Sequence, residues 1–145
     1  MKVLYIFILL LGSQQILHAQ KVLDYKTKTS ANQAERALLL ELLRKAMYKE
    51  FKQEFVFAVD RLNVYNGYAW LKSNASRKDG KEIKLDAEIP YDCCHVEALF
   101  VKKNGKWQIY EYGSFSTDVW WVSLWDDKKI PIKVFGDDYF EVKEE

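Results

Sequence analysis

The densest group of chemically versatile side chains in this sequence is "DCCH", Asp92 to His95, with Glu97 two residues further on. Three or four of these are zinc-type ligands. A structural zinc site needs side chains that converge tetrahedrally, usually with two residues between paired cysteines. Neighbours on a strand instead point to opposite faces. The spacing therefore selects against a metal, and the expectation is two small, half-buried thiols at the start of a strand, with no metal and no cofactor. Adjacent cysteines seldom bridge, because closing so tight a ring forces the peptide away from its planar trans state. No ordinary intradomain disulfide is expected, while pairing between molecules stays open in an oxidising compartment.

His95 is the only histidine beyond the first twenty residues, so any imidazole acid–base chemistry must use it. On a strand, Cys93, His95 and Glu97 share a face and form a thiol, imidazole and carboxylate row. The plain alternative is a row of partly exposed strand residues. Asp60 in "FAVDRL" and Asp118 in "STDVWW" are the carboxylates most closely flanked by apolar groups. A buried carboxylate must be paired or hydrogen-bonded, and its pKa then moves. Their plain roles are an ion pair with Arg61 or another base and, for Asp118, a turn or cap. "NAS" at Asn74 matches a glycosylation sequon, a match that is common by chance. No nucleophile elbow, phosphate loop or paired-carboxylate motif stands elsewhere, so no residue is assigned as catalytic; His95 and Asp60 are the acid–base alternative.

The stretch "TDVWWVSLW" places Trp120, Trp121 and Trp125 within six positions. Read as extended chain, it sends Trp121 and Trp125 to one face and Trp120 to the other, bringing at least one indole towards solvent. Exposed Trp and Tyr recur in binding hot spots, since they bury much area with little rotamer loss. Asp118, Trp120, Trp121, Trp125 and Tyr112 are thus the candidate ligand-binding set. The competing reading is that the cluster is mainly core.

The elements that must position these residues begin after "MKVLYIFILLLGSQQILHAQ". Lys2, the apolar run from Val3 to Leu11 and a polar stretch ending in Ala19 give this segment the layout of a secretory signal peptide, residues 1–19. Nine apolar residues, rising roughly 1.5 Å each, fall well short of a ~30 Å hydrocarbon core. Export to the periplasm or outside the cell is expected, with no membrane insertion after removal. Removing the segment takes Lys2 and leaves 21 basic against 21 acidic side chains. A formally neutral domain lacks the basic footprint that nucleic acid or anionic lipid selects. Aromatic residues are 15% of the chain, enough to build a core without disulfides.

Residues 20–34 read as an extended lead-in. From Glu35 to about Lys52 the residues are good helix formers, with Ser30 and Gln33 or Asn32 and Glu35 placed for capping. Leu39, Leu42, Leu43, Ala46 and Met47 share one side of that helix. Strands are expected at 55–65 and 68–74 around Asn66-Gly67, with a bulge where the alternation slips between Asp60 and Asn63. Residues 76–92 read as a loop long enough to flap over one end of the sheet. A second hairpin follows around Asn104-Gly105, with Val96, Ala98 and Phe100 on one face and His95, Glu97, Leu99 and Val101 on the other. Neither face is purely polar, so the tail is expected to cover the second one, extended near 119–124 in preference to a short helix capped by Ser116 or Thr117, with Pro131 excluding a regular helix through "KKIPIKVF". A single domain over 35–136 and a frayed acidic tail at 137–145 complete the organisation.

The fold class is therefore α+β: one long N-terminal helix packed on a curled antiparallel sheet of about four strands in two hairpins, covered by an aromatic C-terminal segment. The segments "ERALLLELLRKAM", "FVFAVDRLNVYNGYAWLK", "ALFVKKNGKWQIYEY" and "STDVWWVSLW", with Pro131 and Phe135, carry a resemblance that spans most of residues 35–135. Their order resembles the cystatin-like and NTF2-like architecture, and more narrowly a group of small exported bacterial proteins of uncharacterised function. The resemblance implies a bent sheet around a helix and an exported location. "YDCCH" and the doubled tryptophan depart from the pattern. Three functional readings follow: an exported, non-enzymatic binding domain that takes a protein or small apolar ligand in an aromatic-lined cavity; a small hydrolase or isomerase using His95 with Asp60 or Asp118; and a sheet that pairs with itself in a homodimer.

Overall fold

The computed structural model describes residues 20–127 and 129–139. The expected signal peptide and residues 140–145 lie outside the described residues. The lead-in contributes β1 (Leu23–Asp24), followed by helix α1 (Gln33–Phe51), β2 (Phe55–Tyr65), β3 (Tyr68–Arg77), β4 (His95–Lys103) and β5 (Lys106–Ser114). Two 3-10 helices, Trp120–Asp126 and Ile132–Val134, follow β5. The strands form one open antiparallel sheet in sequence order, five strands rather than about four. The additional strand is β1, whose two residues pair with Asn63 and Val64. A two-residue strand carries no readable alternation.

Both hairpins turn on Asn-Gly pairs with positive φ throughout: Asn66 at 47° and Gly67 at 77°, Asn104 at 51° and Gly105 at 74°. That geometry matches the twist of the flanking strands. The register of β2 on β3 shifts between Val59 and Arg61, a bulge at Asp60. Its physical purpose is parity. Phe55, Phe57 and Val59 pack towards the helix, and after the extra residue so do Leu62 and Val64. With all eleven residues in regular alternation and no bulge, Leu62 and Val64 would face the other way and Arg61 would face the helix.

The sheet is covered on both sides. On the first face Leu39, Leu40, Leu43 and Met47 of α1 bury against Ala69, Leu71, Val96, Ala98 and Phe100. The loop after β3 adds Ile83, Leu85 and Tyr91 to this core, and Gln53 holds it by accepting from Lys84 N–H and donating to Lys84 O, at 2.9 and 2.8 Å. The helix start departs from the expected capping: Asn32 makes no side-chain cap and instead bonds Thr27 and Thr29. Glu35, freed from a capping role, accepts from Tyr25 Oη (2.8 Å), Trp107 Nε1 (2.6 Å) and Lys102 Nζ (2.8 Å). One carboxylate thus joins the lead-in, the helix, β4 and β5.

On the second face Trp70 and Leu99 pack with Trp121, Leu124, Trp125, Ile130, Val134 and Phe135. The tail covers the sheet as a 3-10 helix, not as an extended strand, because three residues per turn bring Trp121 and Leu124 onto one side. Burial of that pair outweighs the weak strand preference of Trp and Val. Trp120 lies on Gly113 of β5, whose missing side chain leaves the space its indole occupies. The β2 side chains hold the tail backbone: Arg61 donates to Phe135 O at 3.2 Å and Asn63 to Val134 O at 3.1 Å.

Asp138, within the acidic stretch at the end of the described residues, is only 3% exposed. It accepts from Trp70 Nε1 at 2.7 Å and pairs with Arg61 at 2.7 Å and Lys72 at 3.0 Å. A carboxylate so enclosed is retained because donors surround it. Asp138→Ala removes the acceptor of a buried indole N–H and the carboxylate that Arg61 and Lys72 share, and is expected to lower unfolding free energy by roughly 3 kcal/mol. Urea denaturation followed by tryptophan fluorescence checks this; a change below about 0.5 kcal/mol would show that the clamp is incidental.

Candidate functional site

Odd-numbered residues of β4 face the tail, so His95 and Glu97 stand on the second face, beside Asn74 and Lys72 of β3 in register. His95 Nδ1 meets Glu97 Oε1 at 2.9 Å and Nε2 meets Asp92 Oδ2 at 3.2 Å. Both ring nitrogens are thus held by carboxylates. Burial acts to lower the His95 pKa, but the hydrogen bond and charge of Glu97, then those of Asp92, outweigh it and raise it. Glu97 is buried, and that burial raises its own pKa against the opposing pull of His95 and Lys72. Its second oxygen, Oε2, has no hydrogen-bond partner among the described residues.

Asp60, at the bulge, is exposed and accepts from Asn74 Nδ2 at 2.9 Å. The acid–base candidates His95 and Asp60 therefore sit on the same face with Asn74 between them. Asn74 of the sequon is in mid-strand and engaged in that bond. Asp118 is exposed in the turn before the 3-10 helix, its backbone N–H bonded to Ser116 Oγ at 3.1 Å. It approaches none of the other candidates through a hydrogen bond or an ion pair.

The aromatic candidates divide. Trp121 and Trp125 are buried, and Trp120 is half-buried; ring centroids of Trp70 lie 6.0 Å from Trp120 and 5.8 Å from Trp121, and that of Trp125 lies 4.8 Å from Tyr139. These rings fill the space between tail and sheet with one another. Tyr112 is on the opposite face, against the helix core, donating to Glu50 Oε2 at 2.9 Å. Burial and then Glu50 push its pKa up to about 12. The structure thus separates Tyr112 from the tryptophans by the thickness of the sheet.

Cys93 and Cys94 are disulfide-bonded to each other, with a cis peptide between them and Cα atoms 3.0 Å apart. The expectation that these neighbours do not bridge does not hold. Among the described residues no group of His, Cys, Asp and Glu is arranged to hold a metal ion, and no helix is long and apolar enough to cross a membrane.

A further recess lies elsewhere, between α1 and β2. It has a volume of about 700 Å³ and is lined by Tyr48, Phe55 and Val56 together with Arg44, Lys45, Lys49 and Lys78. Tyr48 is 51% and Val56 40% exposed, large apolar groups held at the surface. The reading of the sequence missed this groove. Its one available signal was Tyr48, off the apolar stripe of the helix and one turn from its end.

Comparison with protein-family models, with curated proteins and with solved structures found no match for this chain. The functional reading accordingly rests on geometry.

Both His95 and Glu97 have raised native pKa values, so both stabilise the fold at low pH and lose that contribution as pH rises. For His95 the contribution is whole below its ordinary 6.5 and is lost as pH climbs through the raised native value. Wild-type stability should therefore fall with pH above this point. His95→Gln should flatten the slope there. Urea midpoints measured from pH 5 to 9 test it, and parallel slopes in the two proteins would remove His95 as the cause.

Proposed function

We propose that the chain acts, after export, as a non-enzymatic binding domain that contacts a protein through the groove between α1 and β2. The observation that carries this reading is the surface exposure of Tyr48 and Val56, which line one recess with Phe55 at the border of the sheet. Aromatic groups held in that way are the usual anchors of protein recognition. Both faces of the sheet are already occupied, one by the helix and one by the tail. Contact surface is correspondingly left at the rim. The tryptophans of the tail serve this reading by holding the sheet rigid, and Tyr48 and Phe55 supply the aromatic lining.

The bent-sheet, cystatin-like architecture belongs to the same proposal, as a scaffold that carries binding surfaces on its edges. A hydrolase or isomerase based on His95 gains less support. A general base needs a nitrogen lone pair facing substrate, and both His95 nitrogens meet carboxylates.

Capture from the envelope extract of the source organism tests the proposal. Wild-type protein is expected to retain a partner that Tyr48→Ala loses, while His95→Gln retains it. Equal capture by wild type and Tyr48→Ala would move the contact away from the groove. Loss with His95→Gln alone would favour the acid–base site instead.

A further inference from the structure

We propose that the outer edge of β2, over residues 55–61, accepts an extended acidic segment of another protein as an added strand; this rests on the binding reading above and names its partner chemistry. The first ground is an unsealed edge. The outer side of β2 is paired by β1 only at Asn63 and Val64, with Tyr25 N–H reaching Leu62 O at 2.7 Å. Among the described residues no strand lies outside residues 55–61. Natural edges of this kind are blunted by proline, by lysine or by a bulge within the exposed run. Here the run is Phe-Val-Phe-Ala-Val, without charge or proline, and the bulge at Asp60 comes only at its end. Seven residues at about 3.3 Å each offer an edge of roughly 23 Å, long enough for a five- to seven-residue strand.

The second ground is charge. The groove beside this edge carries four cations, Arg44, Lys45, Lys49 and Lys78, against two carboxylates, Glu41 and Glu54. Glu41 is engaged by Arg44 and Lys45, and Glu54 by Lys78. Lys49 has no ion-pair partner among the described residues. An incoming strand with carboxylates on the helix side and an apolar residue beside Val56 on the other meets both properties of the groove. A second copy of this chain meets neither. Its own edge would bring the same cluster of cations alongside, cation against cation. Nucleic acid has no row of amides and carbonyls to complete the strand edge.

The test uses the purified chain with three end-blocked, fluorescein-labelled heptapeptides: alternating glutamate and valine, alternating lysine and valine, and the glutamate–valine peptide N-methylated at every second residue. Fluorescence anisotropy at low salt is expected to detect binding of the first peptide alone. Amide resonances of residues 55–61 should shift with it. Lys49→Glu together with Lys78→Glu should weaken binding about tenfold, and His95→Gln should leave it unchanged. Failure of the glutamate–valine peptide to bind, or equal binding of either comparator, overturns the proposal. So does a dimer in sedimentation that the peptide dissociates, since the edge would then belong to a second copy. If the peptide fails while Tyr48→Ala still loses the captured partner, the strand mode falls and the binding reading stands. If Tyr48→Ala loses nothing in capture, the binding reading itself falls.

Discussion

Trp70 stands fully buried on the middle strand of the sheet, and its indole N–H must find an acceptor there. Much of the second layer follows from that single requirement. The acceptor is Asp138, nearly seventy residues later in the chain, and a carboxylate drawn into such a place needs cations of its own. Arg61 and Lys72 supply them from the same face of the sheet. Bringing Asp138 to Trp70 lays the preceding residues across the sheet, so Trp121, Leu124, Val134 and Phe135 cover what would otherwise be exposed apolar surface. Hydrophobic burial provides the drive for this layer, while the hydrogen bond determines where its end docks.

The first layer has a counterpart in Glu35. Its carboxylate takes three donors from three separate elements, and although burial pulls its pKa upward, the bonds to Lys102, Trp107 and Tyr25 hold it below the ordinary value. Each layer is thus pinned to the sheet by one carboxylate that gathers donors. Glu97 differs from both. Only one of its oxygens is held, by a histidine that is itself shared with Asp92. That asymmetry makes the corner near His95 sensitive to protonation, whereas at Glu35 a lysine and two neutral donors favour the ionised carboxylate.

Those features that depend on local pattern were legible in the sequence. The leucines of α1, the two Asn-Gly turns and the slip at Asp60 all express constraints within a few residues, and the mixed apolar character of β4 pointed correctly to a covered second face. What escaped the reading depends on contacts across the fold. β1 is too short to show alternation. The 3-10 form of residues 120–126 is chosen by the sheet beneath it, and "GDD" gives no local sign that its second aspartate is buried. Tyr112 was grouped with the tryptophans by composition, yet strand parity sends it to the helix. The groove was illegible for a related reason, since its walls come from α1, β2 and the residue after β3.

The seat of Trp120 on Gly113 carries a consequence for how this sequence is able to vary. A side chain at 113 would occupy space that the indole already fills. The two positions therefore behave as a single parcel of volume divided between a strand and the tail. A bulkier residue on β5 is compatible with the fold only alongside a smaller one at 120, and the tail keeps its height above the sheet only while the sum is conserved. In a set of diverged relatives, variation at 113 and 120 would accordingly be correlated in size, and that correlation would report the spacing of the second layer without any structure at all.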